Sequence, residues 1–82
     1  MMTREEIKNA IKTHFQNTMG RNPKESESLF EKGFLDSFGV VEFLGFLESQ
    51  FGVSIPVEEI TESNFSTLDA VTDLIEKQME RK

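Results

Sequence analysis

The stretch Asp36-Ser37-Phe38-Gly39-Val40-Val41-Glu42-Phe43-Leu44-Gly45-Phe46-Leu47-Glu48-Ser49-Gln50-Phe51-Gly52 decides the fold class. At about 100° per residue, Val40, Phe43, Leu44, Leu47 and Phe51 fall on one face, which is the stripe of a helix packed on a core. Aspartate and serine are favoured N-caps, each worth about 1 kcal/mol, and they stand just ahead of the periodic residues. Gly52 suits the left-handed conformation that ends a helix. The pattern predicts a helix over 37–51. Opposite the stripe lie Phe38, Glu42, Gly45 and Ser49, with Val41 and Phe46 at the margins. Gly39 and Gly45 each cost about 1 kcal/mol against alanine inside a helix. Either they relieve crowding within the fold or something outside approaches the helix closely; on periodicity alone, internal packing is the favoured reading.

Working outward, 3–18 reads as a first amphipathic helix. Thr3 and Glu6 form a capping-box pattern. Ile7, Ala10, Ile11 and Phe15 follow at helical spacing. The segment 19–36 contains Gly20, Asn22, Pro23 and Gly33 and reads as a long loop. Leu29, Phe30, Phe34 and Leu35 are expected to pin it to the core. After the second helix, 57–61 reads as one or two short helical turns. Ser66 with Asp69 gives a second capping-box pattern, opening a last helix to about Met79 with Leu68, Val71, Leu74, Ile75 and Met79 as its stripe. No β-alternation of useful length occurs. The expected fold is all-α: a small four-helix bundle, three main helices and a short third, with a long loop between helices one and two.

Composition narrows the function. The 82 residues suit one domain, 1–82, and leave no room for an interdomain cleft. Cysteine is absent and His14 is the single histidine, so no metal site and no disulfide framework is expected. The formal net charge is −6. No lysine or arginine stands between Lys32 and Lys77, while nine acids lie in that gap. This disfavours nucleic acid and anionic membranes and suits a basic protein surface. No apolar run could span a bilayer. Acids occupy 1–6 where a signal peptide needs an apolar stretch. A soluble, cytoplasmic monomer without membrane insertion is expected. His14 has no evident triad partner, so no catalytic residue is assigned and the chain is not expected to be an enzyme.

Gly33-Phe34-Leu35-Asp36-Ser37-Phe38, followed by a helix with an acid five residues after the serine, resembles the acyl carrier protein family. The resemblance covers nearly the whole chain, including Phe51-Gly52-Val53-Ser54-Ile55-Pro56 and Asn64-Phe65-Ser66-Thr67-Leu68. It implies that Ser37 carries 4'-phosphopantetheine, moved from coenzyme A by a phosphopantetheinyl transferase. Asp36 then caps the helix and contributes to transferase recognition. The arm's thiol holds an acyl or aminoacyl group as a thioester for fatty-acid, other lipid or specialised-metabolite synthesis. The implied partners are the transferase, a loading ligase or acyltransferase, and downstream acyl-processing enzymes. These are expected to dock on Phe38, Val41, Glu42, Gly45 and Glu48. Phe38 stands where fatty-acid carriers usually have leucine, and Gly39 where they usually have an acid. In these features the chain looks closer to D-alanyl carrier proteins and to stand-alone carriers paired with adenylate-forming ligases. The alternative is a small acidic interaction module with no prosthetic group, in which Asp36-Ser37 is only a cap. No segment supplies the alternating oxygen ligands of a calcium loop.

Overall fold

The computed structural model describes residues 2–80. It contains three α-helices: α1 (Arg4–Met19), α2 (Ser37–Phe51) and α3 (Leu68–Glu80). A single 3-10 turn, Val57–Glu59, is the short third element, tighter than the span read from sequence. No strand occurs among the described residues.

Local chemistry sets the helix ends. At α1 the Thr3 hydroxyl accepts from the Glu6 amide at 3.2 Å and the Glu6 carboxylate accepts from the Thr3 amide at 2.7 Å. That is the reciprocal cap the sequence predicts. The other end of α2 is closed by Gly52, whose φ of 66° lets its amide turn back to the Glu48 carbonyl at 3.0 Å. The cap of α3 differs from the expectation. Thr67, and not Ser66, accepts from the Ala70 amide, at 3.0 Å. Ser66 instead donates its hydroxyl to the Ser63 carbonyl at 2.8 Å. Asp69 is drawn off to cations on α1: its carboxylate lies 3.0 Å from Lys8 and 3.6 Å from Arg4.

The core takes Ile7, Ile11 and Phe15 from α1, Phe43, Leu47 and Phe51 from α2, and Leu68, Val71, Leu74 and Ile75 from α3. Val40 and Leu44 are half-buried at its edge. Helix α3 packs closely on both other helices, whereas the backbones of α1 and α2 stay apart. Aromatic rings fill the space between them. Phe43 lies 5.1 Å from Phe15 by ring centroids, and His14 stacks on Phe46 at 4.0 Å. Phe15, Phe34, Phe43 and Phe46, four of the eight phenylalanines, meet around this seam.

The long loop is fastened at several points. Leu29 is fully buried and donates its amide to the Ser66 carbonyl at 2.8 Å. Its own carbonyl accepts from both Phe34 and Leu35. The Asp69 amide reaches the Glu25 carbonyl at 3.1 Å. The Arg21 guanidinium lies over the Phe34 ring at 4.1 Å and donates to the Lys32 carbonyl. These contacts fix the route of the chain into Asp36.

Candidate functional site

Asp36 and Ser37 stand where the fastened loop becomes α2. The Asp36 carboxylate accepts from the Gly39 amide at 2.7 Å, and its carbonyl accepts from Val40 at 2.9 Å. Among the described residues, the amides of Ser37 and Phe38 have no acceptor. Unpaired amides at a helix start, with the helix dipole behind them, favour a negative group. The Ser37 side chain is exposed, and among the described residues its hydroxyl makes no hydrogen bond. Beside it opens a cleft of about 560 Å³, lined by Phe30, Leu35 and Val40 on one side and by Ile60, Thr61 and Glu62 on the other. Phe65 also lines it.

The structure sorts the remaining site residues predicted from sequence. Phe38 is 84% exposed and Val41 69% exposed, and both project from α2 away from the core. Glu42 and Gly45 are exposed with them. Glu48 is less open than these. It is half-buried, and its carboxylate accepts from the Ile55 amide at 2.9 Å, tying α2 to the connection that follows. Its position near the end of α2 places it over that connection, so the acid is engaged inside the fold.

The two glycines also divide. A Cβ on Gly39 would come within 3.2 Å of the Asp36 carboxylate, a tight contact that glycine avoids. A Cβ on Gly45 would meet nothing within 4 Å. Internal packing explains the first glycine and not the second.

His14 lies in the α1–α2 seam against Phe15, Phe43 and Phe46. Burial holds its imidazole below the ordinary value. It is a packing residue there, and it does not line the cleft beside Ser37. Among the described residues no group of three or more acids and histidines could hold a metal ion. No described helix is long and apolar enough to cross a membrane. Sequence reasoning missed Thr61 and Glu62 as cleft residues. They carry no periodic or motif signal and reach the cleft only through the turn at 57–59.

The family model described as phosphopantetheine attachment site matches residues 9–75. The chain belongs to this family of carrier proteins. The carrier is 35% identical over 79 residues to the D-alanyl carrier protein of Lacticaseibacillus casei (strain BL23), covering 93% of this chain and 98% of that relative. It is 34% identical over 79 residues to the D-alanyl carrier protein of Lacticaseibacillus rhamnosus, with the same coverage of both chains. It is also 34% identical over 71 residues to the D-alanyl carrier protein of Streptococcus suis (strain 05ZYH33), covering 87% of each chain. The family match sets aside the interaction module without a prosthetic group.

The group that belongs to this family is 4'-phosphopantetheine, attached covalently. The helix start fits it: a free hydroxyl, two unpaired amides and an adjoining cleft suit a phosphodiester with a short organic arm. Proteins of this kind carry acyl groups and do not themselves catalyse a reaction.

Proposed function

We propose that the carrier bears its phosphopantetheine on Ser37 and holds a D-alanyl or similar small aminoacyl group there. The observation that carries this is the exposed, unbonded Ser37 hydroxyl beside two unpaired amides at the start of α2. Ser37 is the acceptor: its Oγ–P bond forms as the bond from coenzyme A's phosphate to the adenosine bisphosphate breaks, and the hydroxyl proton leaves to the transferase. The arm's thiol supplies the thioester chemistry that a chain without cysteine cannot. Asp36 holds the first turn in place.

The cargo reading draws on the D-alanyl carrier relatives and on the core. Phe43 and Phe65 are fully buried and fill the space between helices, which leaves the cleft beside Ser37 as the room for a cargo. The exposed row Phe38, Val41, Glu42 and Gly45 is proposed as the docking face for a phosphopantetheinyl transferase, an adenylate-forming ligase and the enzyme that receives the cargo. Glu48, one carboxylate oxygen of which accepts from the Ile55 amide, is proposed at the edge of that face. A cytoplasmic location is proposed with this reading, because adenylation consumes ATP.

The test is intact mass after incubation with coenzyme A and a broad-specificity phosphopantetheinyl transferase. One phosphopantetheine should be gained, and Ser37→Ala should gain none. A gain that survives Ser37→Ala would sink the assignment. Incubation of the modified protein with ATP, D-alanine and a D-alanine-activating ligase then tests the cargo.

A further inference from the structure

Two acids line the cleft beside Ser37, Asp36 and Glu62, and among the described residues no base does. They differ in what they are free to do. The Asp36 carboxylate is engaged by the Gly39 amide at the start of α2. Glu62 is exposed on the facing wall, and among the described residues its carboxylate has neither a hydrogen bond nor an ion pair. No lysine or arginine stands in the chain between Lys32 and Lys77, and Lys77 is held by the Glu59 carboxylate.

The wall that carries Glu62 is tied down. Asn64 donates its backbone amide to the Thr61 hydroxyl at 3.1 Å and its side-chain amide to the Glu59 carbonyl at 2.8 Å. The Phe65 amide reaches the Thr61 carbonyl at 3.2 Å, and the buried Phe65 side chain lines the cleft. Glu62 therefore meets an occupant without its backbone having to be ordered first.

The cleft has two electrical ends. At one, the unpaired amides of Ser37 and Phe38 and the helix dipole favour a negative group. At the other, Glu62 favours a positive one. Phe30, Leu35, Val40 and Ile60 lie along the cleft and favour neither. A phosphopantetheine arm is negative where it joins a serine and neutral along the rest of its length. Charge at its far end comes from the cargo alone. A neutral acyl group gives Glu62 no partner, whereas an α-aminoacyl thioester carries an ammonium. The volume of about 560 Å³ is that of a site for a small organic molecule. The tether keeps the cargo at high local concentration beside the cleft, so even a contact of modest strength is populated.

We propose that Glu62 is a specificity-determining residue for the cargo: with the arm folded back into the cleft, its carboxylate holds the ammonium of an α-aminoacyl group and so favours aminoacyl over neutral acyl cargo. This deepens the cargo reading and rests on attachment at Ser37.

The experiment loads the full chain with a broad-specificity phosphopantetheinyl transferase, which moves the whole arm with its cargo from a coenzyme A thioester. D-alanyl-coenzyme A and propionyl-coenzyme A give two forms that differ only in the amino group. Backbone amide spectra by nuclear magnetic resonance then compare each with the cargo-free arm, in wild type and in Glu62→Gln. Glu62 is exposed and unpaired, so the variant should keep its fold, and unchanged amides in α1 and α3 check this. The D-alanyl form should shift the amides of Thr61 and Glu62 more than the propionyl form does. Glu62→Gln should remove that difference. The D-alanyl amine should titrate about half a unit higher in wild type than in Glu62→Gln. Equal shifts from the two cargoes, a difference that survives Glu62→Gln, or the same amine pKa in both proteins overturns the role of Glu62 and leaves the arm on Ser37 in place. A chain that takes neither arm overturns the attachment and this role together.

Discussion

Replacing Asp36 separates two tasks held by one side chain. Its carboxylate accepts the Gly39 amide at 2.7 Å and places a negative charge at the positive end of α2. Asp36→Ala removes both. An N-cap hydrogen bond is worth about 1 kcal/mol. A carboxylate at an exposed helix start adds roughly 0.3–1 kcal/mol. The sum is about 1.5 kcal/mol. In a domain of this size, 1 kcal/mol moves the thermal midpoint by roughly 4–8 °C, so Asp36→Ala should melt roughly 6–12 °C lower. Asp36→Asn keeps an acceptor oxygen at the same reach and loses only the charge, so its midpoint should fall by only a few degrees. Thermal melts followed by circular dichroism read both values. Phosphopantetheinylation rates taken well below the melts then read the charge alone, since the asparagine variant keeps its first turn. An asparagine variant that melts as low as the alanine variant would refute the hydrogen-bonded cap. An alanine variant that melts with the wild type would refute the whole accounting.

Other perturbations test other parts of the fold. Burial lowers the His14 pKa from its ordinary 6.5, so the unfolded chain binds the extra proton more readily as pH falls. The stability this group contributes is complete above its unfolded value and is lost as pH falls below it. His14→Phe should therefore show a smaller drop in urea midpoint than wild type between about pH 7.5 and about pH 5.5; an equal drop would remove His14 as the cause. Gly52→Ala forces a side chain into φ 66° and should destabilise by about 1 kcal/mol in urea unfolding, opposite in sign to Gly45→Ala. Arg21→Ala removes the guanidinium from Phe34 and the bond to the Lys32 carbonyl. Amide exchange at Phe34 and Leu35 should quicken while that of α3 is unchanged; a uniform change would show general loss of stability instead.

Much of this was legible in the chain itself. The α2 stripe, the Thr3–Glu6 box and the stop at Gly52 are local signals, and each acts as read. The Asp36 cap was legible because a cap and its helix are neighbours in sequence. The misreadings came where a distant residue competes. Asp69 satisfies the Ser66 pattern on paper, but Lys8 and Arg4 on α1 hold its carboxylate, and the cap passes to Thr67. That Glu48 also accepts from the Ile55 amide was not legible, because it depends on Ile55 folding back over α2. Gly39 and Gly45 look alike in sequence, and only the position of the Asp36 carboxylate tells them apart. The cleft partners Thr61 and Glu62 needed the path of the chain after α2, which no periodicity encodes.

The bonds that fasten the long loop carry one more consequence. Leu29 holds the route into Asp36, yet its own amide is anchored to Ser66, and Glu25 is anchored to Asp69 at the head of α3. A nascent chain that has emerged only as far as α2 already contains Ser37 but has nothing on which to hang the loop before it. Order of synthesis and order of assembly thus run in opposite directions at this serine. On the proposed attachment at Ser37, loading of the arm marks a chain whose loop has been hung on α3, and a chain ending at α2 is expected to be a poorer substrate for the transferase.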